Sequence, residues 1–175
     1  MHYPTDINLL WDALRKLIIW SARVSQRYGL SGWGKSGYNL RQVKRLFRRV
    51  QPLKPATATT EKPPQRAKAL RKAYRAYLEL GRTLVQRTEV TLAQLPAGET
   101  VLERESMEAF VLHAYRQLEQ IERRVLQGET IPHGDKVFSL FEEHTAWISK
   151  GKAGVPVELG LPVCILEDDC GFILH

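Results

Sequence analysis

Two long stretches of the sequence repeat apolar and small residues in alternating steps of three and four, and this repeat limits how the chain can fold. The first series is Ala67, Leu70, Tyr74, Tyr77, Gly81, Leu84 and Thr88, and the second is Met107, Val111, Ala114, Leu118, Ile121 and Val125. Such spacing is typical of long helices that pack along a common seam. A break at Leu95-Pro96-Ala97-Gly98 separates the two series. The pattern therefore predicts an antiparallel helical hairpin over residues 66–128.

A helical segment precedes the hairpin. Thr5 or Asp6 is a candidate N-cap, and apolar residues then recur at helical spacing to about Tyr28, where Gly29 ends the pattern. A second helix is predicted from about Tyr38 to Val50. Residues 51–65 are rich in proline and threonine and have no period, which indicates a linker. We therefore expect a basic helical segment over 1–50, joined to the hairpin by this linker.

The pattern changes after Gly128. Residues 137–141, 163–166 and 172–174 are short apolar runs that predict strands. So few strands do not form a self-sufficient sheet. The sequence therefore predicts an α+β fold class, mainly α with a small terminal β part over residues 129–175.

Charge is distributed very unevenly along the chain. Residues 1–75 contain 17 Lys and Arg against 3 Asp and Glu, whereas the formal net charge of the whole chain is only +7. An excess of one sign repels itself unless it meets a polyanion, and nucleic acid is the commonest one. The distribution favours a nucleic-acid partner over a solvated basic face without one.

Two basic stripes carry most of this excess. On the second predicted helix, helical spacing puts Arg41, Lys44, Arg45, Arg48 and Arg49 on one face. At the start of the hairpin, Lys68, Arg71, Lys72 and Arg75 form a similar row. We predict that both stripes bind DNA phosphates, although a membrane surface or an acidic protein would also suit such a pattern.

The loop between the first two helices matches a phosphate-binding motif. Residues 29–36 (GLSGWGKS) fit the pattern G-x-x-x-x-G-K-[ST], in which Lys35 would reach phosphates and Ser36 would hold magnesium. A true phosphate loop follows a buried strand, and here a predicted helix precedes it. We keep nucleotide binding as a minor alternative only.

The composition excludes several other classes. No run of apolar residues approaches the length of a membrane span, and we expect no membrane partner. Two cysteines cannot build a disulfide framework or a four-ligand zinc site, so a cytoplasmic location is expected. The five histidines are scattered, and no catalytic or metal-binding residue is predicted.

Two stretches resemble bacterial insertion-sequence transposases of the DDE, RNase H-like class, ISNCY-type. Residues 2–10 (HYPTDINLL) are similar to a Tyr-Pro-Thr-Asp-x-x-Leu-Leu run that opens a helix after the family's first catalytic strand. Residues 136–142 (KVFSLFE) and 147–160 (WISKGKAGVPVELG) look like the passage that re-enters the catalytic sheet. The resemblance implies basic helices and a long helical hairpin inserted in an incomplete RNase H-like sheet, with residues 129–175 as its β segment. It also adds Lys150 and Lys152 as DNA-contact candidates.

The resemblance has consequences for catalysis. The family's chemistry needs three carboxylates that hold two divalent metals, with Mg²⁺ implied for the intact enzyme. The motif matches place none of the three on a residue of this sequence. We therefore expect a truncated transposase fragment that is inactive in DNA cleavage, has no cofactor of its own and retains nonspecific DNA binding. Further candidate partners are a second copy of the chain and an intact transposase. The main alternative is a stand-alone nucleic-acid-binding helical protein.

Overall fold

The computed structural model describes residues 5–53, 64–96, 101–140, 145–149 and 157–160. The chain forms two compact units, residues 1–136 and 137–175. The first unit contains helices α1 (Asp6–Tyr28), α2 (Ser36–Val50), α3 (Pro64–Ala93) and α4 (Val101–Ile121). A π-helical segment (Glu122–Gln127) continues α4, and a short 3₁₀ turn (His133–Asp135) follows. The second unit contains strands β1 (Ala146–Ser149) and β2 (Val157–Gly160). The described chain is thus mainly helical, as predicted.

The sequence signals for the helix ends are largely confirmed. Helix α1 ends at Gly29, which adopts φ 66° and donates its N–H to the Ser25 carbonyl. This left-handed conformation is the one that favours glycine after a helix. The π-helical segment ends in the same way at Gly128, with φ 78°. Helix α2 begins at Ser36, two residues before the predicted Tyr38.

The predicted seam is the core of the hairpin. Of its thirteen positions, Ala67 is half-exposed and the other twelve are buried. Helices α3 and α4 run antiparallel, because Tyr115 donates a hydrogen bond to Glu89 (2.7 Å) while Arg82 pairs with Glu122. The hairpin therefore follows from the heptad pattern.

Helix α1 is part of the same core as the hairpin. It runs antiparallel to α4, with Arg27 paired to Glu103 at one end and Asp6 to Arg124 at the other. Between them the Trp20 and Phe110 rings meet edge to face at 5.1 Å. Helices α1 and α2 and the hairpin therefore fold as one four-helix body.

Three helices meet at Gly81. A Cβ atom at this position would lie 3.0 Å from Leu118 Cδ2 and 3.5 Å from Leu14 Cδ1. Both leucines are buried, and they come from α4 and α1. Glycine is used here because it lets the backbone of α3 approach its neighbours, at a small cost in helix propensity.

A small polar pair completes the same interface. Thr88, a seam residue that is fully buried, has its hydroxyl 3.2 Å from that of Ser21 on α1 and donates to the Leu84 carbonyl. Each hydroxyl thereby finds a partner inside the core, which a buried polar group needs. Ser21 on α1 thus accounts for the polar residue Thr88 in the heptad pattern.

The second unit departs from the predicted strands. Residues 137–140 of the run 137–141 are not in a strand, so that prediction is wrong there. The strands are β1 and β2, which pair antiparallel with Trp147 opposite Leu159 and Ala146 opposite Gly160. A short apolar run does not form a strand unless a partner edge is available, and periodicity alone cannot show that edge. The predicted strands at 163–166 and 172–174 lie outside the described residues.

The RNase H-like sheet remains a prediction, since the described residues contain a single antiparallel strand pair. Within the described part of the chain, no helix is long and apolar enough to cross a membrane.

Replacing Gly81 tests the three-helix contact. We expect Gly81→Val to lower the free energy of unfolding by about 1–3 kcal/mol, because its side chain would overlap Leu118 and Leu14. Urea unfolding followed by circular dichroism measures the change. The exposed α3 residue Gln86 supplies the matched control, since Gln86→Val adds the same side chain at an open position. Equal stability of the two variants would contradict the close contact.

Candidate nucleic-acid interface

The α2 stripe lies entirely at the surface. Its five cations, Arg41, Lys44, Arg45, Arg48 and Arg49, are all exposed. Helix α2 contains no Asp or Glu, and within the described residues none of the five has an ion-pair partner. One of them, Arg45, donates to the neutral side-chain oxygen of Gln42. The stripe therefore keeps its full positive charge without an internal counter-charge.

The α3 stripe has the same character. Its four cations, Lys68, Arg71, Lys72 and Arg75, are exposed on the first third of the helix. Residues 64–75 also lack Asp and Glu, and no carboxylate of the described residues pairs with the stripe. The two stripes thus share one property, namely cations that the fold leaves available to an external anion.

Many cations elsewhere in the helical unit are paired. Arg27 contacts Glu103 at 3.1 Å, Arg123 contacts Glu129 at 2.7 Å, and Arg82 pairs with Glu122. The acids that make these pairs come from α4 and the segment after it. Exposed ion pairs contribute little to stability, but they neutralise charge locally. Pairing therefore lowers the positive charge of this part of the surface relative to α2 and the start of α3.

Aromatic packing fixes α2 against its neighbours. The ring of Phe47 stacks on Trp11 of α1 at 5.6 Å and 19°, and it lies 6.4 Å from the ring of Tyr77 on α3. Val43 and Val50 are fully buried on the same side of α2. The side of α2 opposite the stripe thus fastens it to both α1 and α3.

Tyr74 joins the end of α2 to the first third of α3. This residue is buried, lies next to Arg75 in the chain, and donates a hydrogen bond to the Leu53 carbonyl at 3.0 Å. Burial raises the pKa of Tyr74 above its ordinary value, so the hydroxyl stays protonated and remains a donor at neutral pH. The C-terminal end of the α2 stripe and the α3 stripe therefore lie at the same end of the helical unit.

An ion pair joins the π-helical segment to α1 at this end of the helical unit. Arg124 in the π-helical segment makes two hydrogen bonds to Asp6, Nε to Oδ2 and Nη2 to Oδ1, each 2.8 Å long. Bidentate pairs of this kind are the stronger and more directional ones. Asp6 also lies in the first turn of α1, where a negative charge favours the helix. Arg124 is thereby engaged within the fold, whereas the stripe cations are not.

The loop between α1 and α2 is anchored by its tryptophan. Trp33 is buried and donates from Nε1 to Thr91 Oγ1 at 2.8 Å, while the Arg87 guanidinium lies 5.4 Å from its ring centroid. The phosphate-loop match therefore lies between two helices, with α1 before it instead of a strand. This arrangement lacks the strand-loop-helix context that the motif requires.

Not every candidate residue can be located. Lys150 and Lys152 lie outside the described residues. In the described ranges, no group of three His, Cys, Asp or Glu side chains could hold a metal ion.

Sequence reasoning missed the aromatic contacts that hold the stripes together. Trp11 and Phe47 each occupy an apolar position of their own helix, but nothing in the spacing shows that they stack on each other. The sequence shows that residues 36–50 and 64–75 contain no Asp or Glu. It does not show which cations elsewhere in the helical unit are paired.

Comparison with protein-family models, curated proteins and solved structures finds no match to this chain.

Proposed function

We propose that the helical unit binds duplex DNA through its basic end. One observation carries this proposal: nine exposed cations on α2 and the first third of α3 have no carboxylate partner among the described residues. DNA presents a dense row of phosphates, and binding cations to it releases condensed counterions. Contacts of this kind carry no sequence information by themselves. Binding should therefore be weak, nonspecific and strongly dependent on salt.

We further propose that the chain is a non-catalytic part of a DDE-class transposase that acts in the cytoplasm. The support is the resemblance of residues 2–10 and 136–160, which occurs in the family's order along the chain. In this proposal the Mg²⁺-dependent strand cleavage belongs to carboxylates that this sequence does not contain. The helical unit would contribute DNA binding, with an intact transposase or a second copy as a possible partner and no membrane contact.

The DNA that flanks the gene tests the transposase proposal. We expect it to encode an Asp-Thr-Thr-like strand before the Met1 codon, in frame or shifted. After the His175 codon we expect further strands with an aspartate and, on a later helix, a glutamate. Unrelated genes or transcription signals directly abutting both ends would favour the alternative, a stand-alone nucleic-acid-binding helical protein.

The salt dependence of binding tests the DNA proposal. Each lost phosphate contact lowers the slope of log affinity against log salt by about 0.9 for duplex DNA. The double variant Arg41→Gln/Arg48→Gln should therefore lower this slope by about 2. Fluorescence anisotropy with a labelled duplex, repeated over a series of salt concentrations, measures it.

A charge-matched variant separates local contacts from net charge. Arg27 pairs with Glu103, and Arg116 is exposed on α4, so Arg27→Gln/Arg116→Gln removes two arginines away from the stripes. This control should leave the slope nearly unchanged. Equal slopes of log affinity against log salt for the two double variants would contradict DNA binding by the α2 stripe.

A further inference from the structure

The exposed cations of α2 extend around a wide part of the helix. At about 100° per residue, the positions from Lys44 to Arg49 span an arc of about 140°. Arg41, Arg45 and Arg48 lie within this arc. Tyr38, which is 53% exposed, falls within it too, one turn before Arg41 and Gln42. The exposed face of the helix therefore carries positive charge at both of its edges, which we call its flanks, as well as in its middle.

The α3 stripe differs in shape. Lys68, Arg71, Lys72 and Arg75 fall within an arc of about 100°. Leu70, Tyr74 and Tyr77 are buried on the opposite side of the helix, whereas Arg66 and Ala69 are exposed outside the stripe. The four stripe cations themselves face one side of α3, as contact with a single backbone strand requires.

Helix α2 has most of its surface outside the core. Only Val43 and Val50 of its fifteen residues are buried. The cations of α2 occupy positions outside the side formed by Val43, Phe47 and Val50, which holds the helix to α1 and α3. A groove could therefore receive α2 without displacing any of the contacts that anchor it.

Cations on both flanks of a helix reach phosphates at the same time only where phosphates lie on both sides. The major groove of B-form DNA is about 12 Å wide and admits an α-helix, whereas the minor groove, at about 6 Å, does not. We infer that α2 enters the major groove of duplex DNA, while the α3 stripe contacts the adjacent backbone. This inference rests on the proposed DNA binding and adds which helix enters which groove.

Dimethyl sulfate protection distinguishes the grooves. The reagent methylates guanine N7 in the major groove and adenine N3 in the minor groove. With mixed-sequence duplex saturated by the full chain, we expect 7-methylguanine to fall roughly twofold while 3-methyladenine stays unchanged. Chromatography of the released bases measures both products. Equal protection of the two bases, or protection of adenine N3 alone, would overturn the inference.

Two variants assign the protection to a helix. Changing Lys68, Arg71, Lys72 and Arg75 to Gln should weaken binding but preserve the guanine N7 protection once the DNA is saturated. Changing Arg41, Lys44, Arg45, Arg48 and Arg49 to Gln should abolish it, even at protein concentrations that restore saturation. The opposite pattern, with protection lost only in the α3 variant, would overturn the assignment of α2 to the groove.

A duplex RNA of the same length and sequence gives an independent readout. Its A-form major groove is deep and too narrow to be read by side chains, although its phosphate charge is similar. We expect the RNA duplex to bind at least about tenfold more weakly than the DNA duplex at equal salt. Equal affinities, or DNA binding without guanine protection, would defeat the groove inference while leaving DNA binding intact. Failure to bind any duplex would defeat the proposed function itself.

Discussion

The close approach of α1, α3 and α4 around Gly81 determines how the helical unit is arranged. Because this residue has no side chain, Leu118 and Leu14 can both lie against the backbone of α3. Helix α1 is thereby drawn onto the hairpin seam, where Ser21 meets Thr88 and Trp20 meets Phe110. The position of α1 in turn fixes α2, since Trp11 stacks on Phe47. Apolar packing around Gly81 thus determines the position of the cationic helix α2.

The second organising feature is the separation of charge along the chain. The acids of α4 and of the following segment neutralise arginines of α1, late α3 and α4 itself. No acid is available on α2 or over residues 64–75. Tyr74 and Phe47 bring these two acid-free segments to one end of the unit. Self-repulsion there is offset by the core contacts, and binding of a polyanion would relieve it.

Local features of the sequence predict much of the helical unit. The end of α1 at Gly29 follows from a glycine signal, and the buried face of the hairpin follows from a seven-residue repeat. The same local reasoning does not show that α1 packs on the hairpin, because nothing in the spacing of α1 identifies its partner. Long-range pairs such as Asp6–Arg124 and Trp33–Thr91 depend on the assembled bundle, and therefore no local pattern reveals them.

The candidate site shows the same division. Helical spacing predicts the two stripes, and the structure shows them exposed and unpaired within the described residues. Their placement at one end could not be predicted, because it depends on the Tyr74–Leu53 hydrogen bond and on the aromatic contacts of Phe47. Residues 137–140 of the strand predicted at 137–141 are not in a strand, for a related reason. A strand forms only where another strand is available for pairing, and β1 and β2 pair with each other.

NMR chemical-shift mapping is the most direct measurement of whether the basic end of the helical unit contacts DNA. A short duplex would be titrated into the ¹⁵N-labelled chain, and the backbone amide shifts would be followed at constant salt. The largest changes should fall on residues 38–49 and 66–75, with little change around Glu103 and Glu108 at the start of α4. Changes concentrated at the start of α4, or spread evenly over all four helices, would contradict DNA binding through the two stripes.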